Sequence, residues 1–351
     1  MNTSKTDPTP TADQTLTIFD HEQIRRAVGF ADLIDPVARA FAEFSQGLGE
    51  APIATFAPAG EAGDVHVKSA WLAGHHVFTV KVGAWFAARA TAGRSAASGY
   101  VAVHDATTGD LVAIMRDEHH LTDVRTAAAG AVATRLLARA DARVLAVLGT
   151  GTQAYLQTLA AHAVRPIDTV LVWGRNRESA ERLRATLAAA EPGLCVSVAD
   201  KPQDAVRAAD VIVTATGSKR PIVEGSWLRT GQHVTALGAD DPAKAELDPE
   251  CFRRADLLVV DSRGHAPHLG GDLRAAIAGG AVTAEAIDAD LGGLVLGDHP
   301  GRRDPDQITI AKLIGLGIQD LAAAETALSL LSRPPRPGRA PASAMDLLEQ
   351  S

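Results

Sequence analysis

The sequence predicts an α/β protein in which a doubly wound parallel sheet is joined to a second, α+β unit. Three observations carry this expectation. From Arg143 onward, short runs rich in Val, Leu and Ile (RVLAVLG, DTVLVW, CVSVA, DVIVTAT, HVTALG, DLLVVD) come one after another, the first two each followed by a helical pattern, as expected of parallel strands buried on both faces. The first run ends in Gly149-Thr150-Gly151-Thr152-Gln153-Ala154, a GxGxxA turn of the Rossmann type. Before residue 122 the texture changes to strand-like stretches separated by Gly- and Ala-rich turns.

Taken in order, residues 1–14 are polar and rich in Pro and Thr, and read as a disordered tail. A helix follows, because Val37, Ala40, Phe41 and Phe44 stand at i, i+3, i+4 and i+7, and Gly47 and Gly49 end the pattern. The strands IATFA, DVHVKSAW, HVFTVKVGAWF, GYVAVHD and LVAIM look mainly antiparallel. TDVRTAAAGAVATRLLARA reads as a helix capped by Thr122 or Asp123. In the parallel part, TQAYLQTLAAHAV and ESAERLRATLAAA are the helices after the first two strands. QITIAKL and a helical stretch in GLGIQDLAAAETALSLL close the ordered chain, and a Pro- and Arg-rich flexible tail occupies 333–351. The expected division is 15–121 with 318–332 for a substrate-binding and dimerisation unit, and 122–317 for a dinucleotide-binding unit.

Charge and composition exclude several functions. Against 34 Lys and Arg stand 42 Asp and Glu, a net charge of −8, so no basic excess exists to meet nucleic-acid phosphates or an anionic membrane surface. The two cysteines, Cys195 and Cys251, lie far apart without CxxC spacing, which points to a reducing, cytoplasmic location. No apolar run approaches the ~20 residues of a membrane helix, and the first residues lack the apolar core of a signal peptide. Histidines occur in pairs, as at His75-His76 and His119-His120, but no HExxH or Cys/His cluster accompanies them, so no metal is expected. GxSxG and Walker motifs are absent from the sequence, which removes the common hydrolase and kinase readings. Trp71 and Trp85, in apolar strands, read as core.

In the glycine loop, Gly149 permits a tight turn, Gly151 admits a pyrophosphate close to the backbone, and Thr150, Thr152 and Gln153 complete the cradle. The second parallel strand ends in Trp173-Gly174-Arg175-Asn176-Arg177, without the carboxylate that would bind a ribose 2′-OH. Arg175 and Arg177 suit a 2′-phosphate, so NADP(H) is the expected cofactor, with NAD(H) as the alternative.

Carried by LTDVRTAAAGAVATRLLA, LAVLGTGTQAY, DVIVTATGSKRPIVEGSWL, GQHVTALGADDPAKAELDP, ADLLVVDS and QITIAKLIGLGIQDLA, the chain resembles the ornithine cyclodeaminase/mu-crystallin family over nearly its whole ordered length. HVKSAW and LTDVRTAAAG look closest to its branch with ectoine-degradation and iminosuccinate-reducing members. The resemblance implies a homodimer formed by pairing across the first sheet, and an enzyme acting on a small amino acid or imine. It implies that Lys81 and Arg125 hold a substrate carboxylate and that Asp240 is the catalytic aspartate of the cyclodeaminases. Cofactor contacts are implied at Thr126, Thr152, Gln153, Thr214-Ala215-Thr216, Leu237-Gly238, Lys244 and Ile314. One departure is visible: family members usually carry an arginine in the early strand, and APIATF puts Ala54 there.

Hydride transfer at a carbon bearing nitrogen needs a cation to fix the substrate and a group to move the amine proton. Lys68, Lys81 and Arg125 supply the cation, unless Lys68 points outward from its strand. Asp240 and Lys81 are the expected catalytic residues, with capping of a helix near AKAEL as the alternative role of Asp240. The leading expectation is an NAD(P)H-dependent oxidoreductase that reduces an imine or ketimine or dehydrogenates an amino acid. An ornithine cyclodeaminase-type lyase, or an NADPH-binding protein without turnover like mu-crystallin, are the alternatives.

Overall fold

A computed structural model describes residues 16–332, so the expected tails 1–14 and 333–351 lie outside the described residues. The chain starts with β1 (Thr17–Phe19), α1 (His21–Ala27) and α2 (Phe30–Ser45). A run of strands follows: β2 (Gly49–Glu50), β3 (Ile53–Phe56), β4 (Gly63–Leu72), β5 (Val77–Phe86), then α3 (Ala87–Thr91), β6 (Ala97–Asp105) and β7 (Leu111–Met115). They form one sheet in the order β1-β7-β6-β5-β4-β2, with β3 also paired to β4. The pairs are antiparallel except β1 with β7. Strand β1 was not expected, because three residues are too short to show a period.

α4 (His120–Leu137) leads into the second unit. It starts two residues before the expected cap: His119, with φ +83°, precedes it, and Thr122 and Asp123 lie in its first turn. A helix buried on nearly all sides carries no apolar stripe, and α4 packs on α2, α5 (Thr152–Val164) and α12 (Gly317–Leu331).

The parallel part continues through β8 (Val144–Leu148), β9 (Thr169–Trp173), α6 (Arg177–Ala190), β10 (Cys195–Val198), α7 (Pro202–Ala208), β11 (Val211–Thr214), β12 (Lys219–Val223), β13 (His233–Ala236) and β14 (Ala245–Leu247). It ends with α8 (Pro249–Arg254), β15 (Leu257–Val260), α9 (Ala266–Leu269), α10 (Gly271–Ala278), β16 (Ala289–Asp290), α11 (Leu291–Leu296) and β17 (Thr309–Lys312). Eight strands form an all-parallel sheet in the order β10-β9-β8-β11-β13-β17-β15-β16, and β12 pairs with β14 apart from it. The late strand β17 enters between β13 and β15, a crossover that local pattern does not specify. The order reverses at β8, and the glycine loop follows it, at the crevice where such sheets bind ligands. Finally α12, which follows the parallel sheet, packs back on β4 and β5 of the first sheet.

Candidate active site

Strands β4 and β5 put Lys68 directly opposite Lys81, so both side chains share one face of the sheet. They are 5% and 4% exposed, which removes the outward alternative for Lys68. Arg125 enters from α4 and Asp320 from α12, both buried. Asp320 takes Lys81 Nζ at 2.8 Å on Oδ2 and Arg125 Nε at 2.9 Å on Oδ1. Lys81 also donates to Thr122 Oγ1 at 3.2 Å, and Arg125 to Gln319 Oε1 at 3.0 Å. Lys68 donates instead to the backbone carbonyls of Ile314 (3.3 Å) and Gly315 (2.7 Å). Three cations around one carboxylate leave an excess of positive charge away from water, which a substrate carboxylate would neutralise.

These charges set one another's protonation. Burial, then Lys81 and Arg125, lower Lys68 to about 7. Burial also lowers Lys81, with Asp320 opposing it. Asp320 would be raised by burial, but Arg125, Lys81 and Lys68 outweigh that and keep it ionised.

Asp240 follows β13 at the carboxyl edge of the parallel sheet. It pairs with Lys244 at 2.7 Å and is about one-third exposed (31%). Burial pushes its carboxyl up, but Lys244 and Lys68 together bring it to about 2. The last three residues of AKAEL form β14 and the stretch holds no helix for Asp240 to cap; Asp241 Oδ1 accepts from the Ala243 amide in the turn before it. One fully buried carboxylate that the sequence reading missed, Glu246 on β14, braces this edge. It accepts from Thr214 Oγ1, Thr216 N and Oγ1, Gly238 N and Ala239 N, tying the ends of β11 and β13 together.

The glycine loop has the form a dinucleotide needs. Gly149 has φ +138°, and a Cβ there would stand 2.4 Å from the Ala215 carbonyl oxygen, so only glycine fits. Gly151, with open space beside it, precedes α5, and no side chain caps that helix; its first amides are left for an anionic ligand. Gln153 donates to the Asp123 carbonyl (3.1 Å) and carboxylate (3.0 Å), joining α5 to the turn of α4 between Lys81's partner Thr122 and the expected contact Thr126. A pyrophosphate therefore fits on Gly149, Gly151 and Thr152.

Over residues 16–329 the chain matches the ornithine cyclodeaminase/mu-crystallin family. The chain belongs to that family. It is 41% identical over 265 residues to a protein of Sinorhizobium fredii named as an uncharacterised cyclodeaminase, covering 76% of this chain and 80% of that one. To a Delta(1)-pyrroline-2-carboxylate reductase of Bacillus cereus it is 33% identical over 311 residues, 88% of this chain and 94% of the relative. Among solved structures, the Thermococcus litoralis Delta(1)-pyrroline-2-carboxylate reductase with NADH and L-proline superposes with a TM-score of 0.85 at 28% identity, over 90% of this chain and 97% of that one. An archaeal alanine dehydrogenase dimer with bound NAD gives 0.82 at 29% identity, over 90% and 95%. Within the family the chain is an NAD(P)-dependent oxidoreductase.

Set against the family pattern, several expectations shift. Ala54 pairs with Val67 and so shares the face opposite to the lysines; Ile53 stands across from Lys68 and Thr55 across from His66. On β3 the residues on the lysine side are therefore Ile53 and Thr55, and Ala54 faces away. The Thr214 hydroxyl is fully buried on Glu246, so its side chain serves the fold. Asn176 is the N-cap of α6, accepting from the Ser179 amide, and Arg177 is held by Asp200 and Glu181. Arg175, Asn176 and Arg177 are all exposed, and of the two arginines it is Arg177 that is held in ion pairs. Trp71 and Trp85 are 46% and 45% exposed rather than core. Asp320, the carboxylate that organises the cations, lay in a quoted motif, but an aspartate among the alanines of a helix gives no local signal of its role.

Proposed function

We propose that this protein uses NAD(P)H to reduce the C=N bond of an imino acid, and in reverse dehydrogenates the amino acid. The observation that carries the reading is the buried group Lys68, Lys81, Arg125 and Asp320 facing Asp240 across the carboxyl edge of the dinucleotide-binding sheet. The nicotinamide nucleotide, when bound, supplies or accepts the hydride. Lys81 and Arg125, oriented by Asp320, hold the substrate carboxylate. Lys68, with its proton affinity near neutrality, gives a proton to the reduced nitrogen or accepts one in reverse. Asp240 stays ionised and favours the cationic iminium over the neutral imine.

The exposed Arg175 and a turn after β9, Gly174-Arg175-Asn176-Arg177, that holds no carboxylate support NADPH as the preferred reductant. The outer face of the first sheet supports a homodimer: Ile18, Ile114, Ala102 and Val80 lie in register across four strands, with Tyr100, Val82 and Val67 beside them. Two free cysteines, and the lack among the described residues of any helix long and apolar enough to cross a membrane, support a cytoplasmic site of action.

The test is loss of NADPH or NADH absorbance with cyclic ketimines and with 2-oxo acids supplied with ammonia or methylamine. Turnover of one of them is expected. A folded, nucleotide-binding protein that consumes reductant with none of them would overturn the reading, and ammonia release from a diamino acid without net change in the nucleotide would put a cyclodeaminase in its place.

A further inference from the structure

Behind the site lies a buried acid that the reaction scheme does not use. Asp261, just after β15, is 2% exposed. Its Oδ2 accepts both the Ile314 and the Gly315 amide, each at 2.8 Å, while Oδ1 is buried with no partner. The peptide joining Ile314 to Gly315 thus gives its N–H to Asp261 and its C=O to Lys68, and the next carbonyl, that of Gly315, also accepts from Lys68. One peptide dipole lies in line between a carboxylate and an ammonium, an arrangement in which each hydrogen bond strengthens the next.

The hydrogen bonds alone do not account for a carboxylate here. A single amide oxygen would accept from both N–H groups, and burying a charge with an unpartnered oxygen carries a desolvation cost that an amide avoids. What the charge adds is its effect on Lys68, the cation beyond the peptide. We propose that Asp261 is a positioning residue for Lys68: through the Ile314–Gly315 peptide its carboxylate orients the carbonyls that hold the ammonium and favours its proton-carrying form. Other charges acting on Lys68 are Lys81 from β5, Arg125 from α4, Asp240 from the end of β13 and Asp320 from α12, with His66 two residues away on its own strand. Of these five, Lys81 and Arg125 are the cations that draw the proton from Lys68, and an acid behind the loop adds to Asp240 and Asp320 in opposing them. Burial raises the Asp261 carboxyl, while the two amides and Lys68 oppose it.

The proposal rests on Lys68 facing the substrate, as argued above. The variant that isolates the charge is Asp261→Asn, in which the amide oxygen keeps both hydrogen bonds and the NH2 takes the place of the unpartnered oxygen. With 15N-labelled lysine, and Lys68→Met to assign the signal, NMR titration of the full chain should show the proton affinity of Lys68 falling about tenfold in Asp261→Asn. An unchanged Lys68 titration would overturn the proposal, since a residue that only fills space leaves it in place. Should Asp261→Asn fail to fold, the wild-type protein still decides: the Gly315 amide proton should shift in step with the Lys68 titration and lose that step in Lys68→Met, and a Gly315 signal that does not move sinks the idea. No substrate enters these titrations, so their failure removes the role of Asp261 and leaves the reductase reading standing, whereas absence of turnover with a shifted Lys68 does the reverse.

Discussion

Lys81 and Arg125 reach the same carboxylate, that of Asp320, from a strand and a helix on either side of it, at 2.8 and 2.9 Å. Among the described residues neither cation forms an ion pair with another acid, so Asp320 holds both. Replacing Asp320 with Asn leaves two buried cations facing one neutral amide. Unfolding in denaturant should show a loss of about 3 kcal/mol, the scale for breaking a buried ion pair by removing one partner. A loss within error of zero would mean that water already screens the cluster.

Arg175 should decide between the two nicotinamide nucleotides, because its guanidinium can grip a 2′-phosphate and has nothing to grip on a bare ribose. In fluorescence titrations Arg175→Asp should weaken NADPH by about tenfold or more and leave NADH nearly unchanged. Equal losses for both would assign the discrimination elsewhere. The same change at Arg177 should matter less, since Asp200 and Glu181 already hold that side chain.

The lowered proton affinity of Lys68 ties both stability and rate to pH. Between about 7 and its ordinary value of 10.5, the unfolded chain keeps a proton on Lys68 that the folded chain has released. The unfolded state therefore binds more protons there, and the contribution of Lys68 to stability rises with pH across that window. Imine reduction, which needs the protonated form, should fall as pH rises through about 7, and amino-acid oxidation should rise. Lys68→Met should remove this pH-dependent limb from the stability curve; a curve of unchanged shape in that variant contradicts the assignment.

On the other side of α12, His75 bridges Glu43 of α2 (2.9 Å) and Glu325 of α12 (2.8 Å). Only the imidazolium can donate to both acids at once. Burial lowers its proton affinity, but the hydrogen bonds to Glu43 and Glu325 outweigh this and raise it. The stabilisation is accordingly complete below the ordinary histidine range and lost as pH rises through the raised folded value. His75→Gln should lower Tm at pH 6 more than at pH 9, and an equal drop at both would remove the ionic bridge.

The parts of this molecule that local chemistry dictates were open to reading from the chain. The runs at β8 and β15 are apolar throughout, and β11 is so up to its last residue, because strands covered on both faces have no wet side. Gly149 had to be glycine where a strand turns sharply into a helix, and Lys68 and Lys81 stood out as cations inside apolar strands. The face that Ala54 takes was not legible for a plain reason: in a strand a shift of one position exchanges the faces, and only the pairing with β4 tells which face holds the lysines.

By itself the sequence determined the main strands and helices of both sheets, the dinucleotide loop and the residue types that carry charge, since periodicity, turn chemistry and desolvation act over a few residues. Tertiary structure alone decided which charges meet. Asp320 reaches Lys81 and Arg125, Glu246 joins two strand ends, and Lys68 finds the Ile314 and Gly315 carbonyls across 246 and 247 positions of chain. Contacts that distant are set by how β17 enters the sheet and how α12 returns to the first unit, and such packing leaves no period in the sequence to be read.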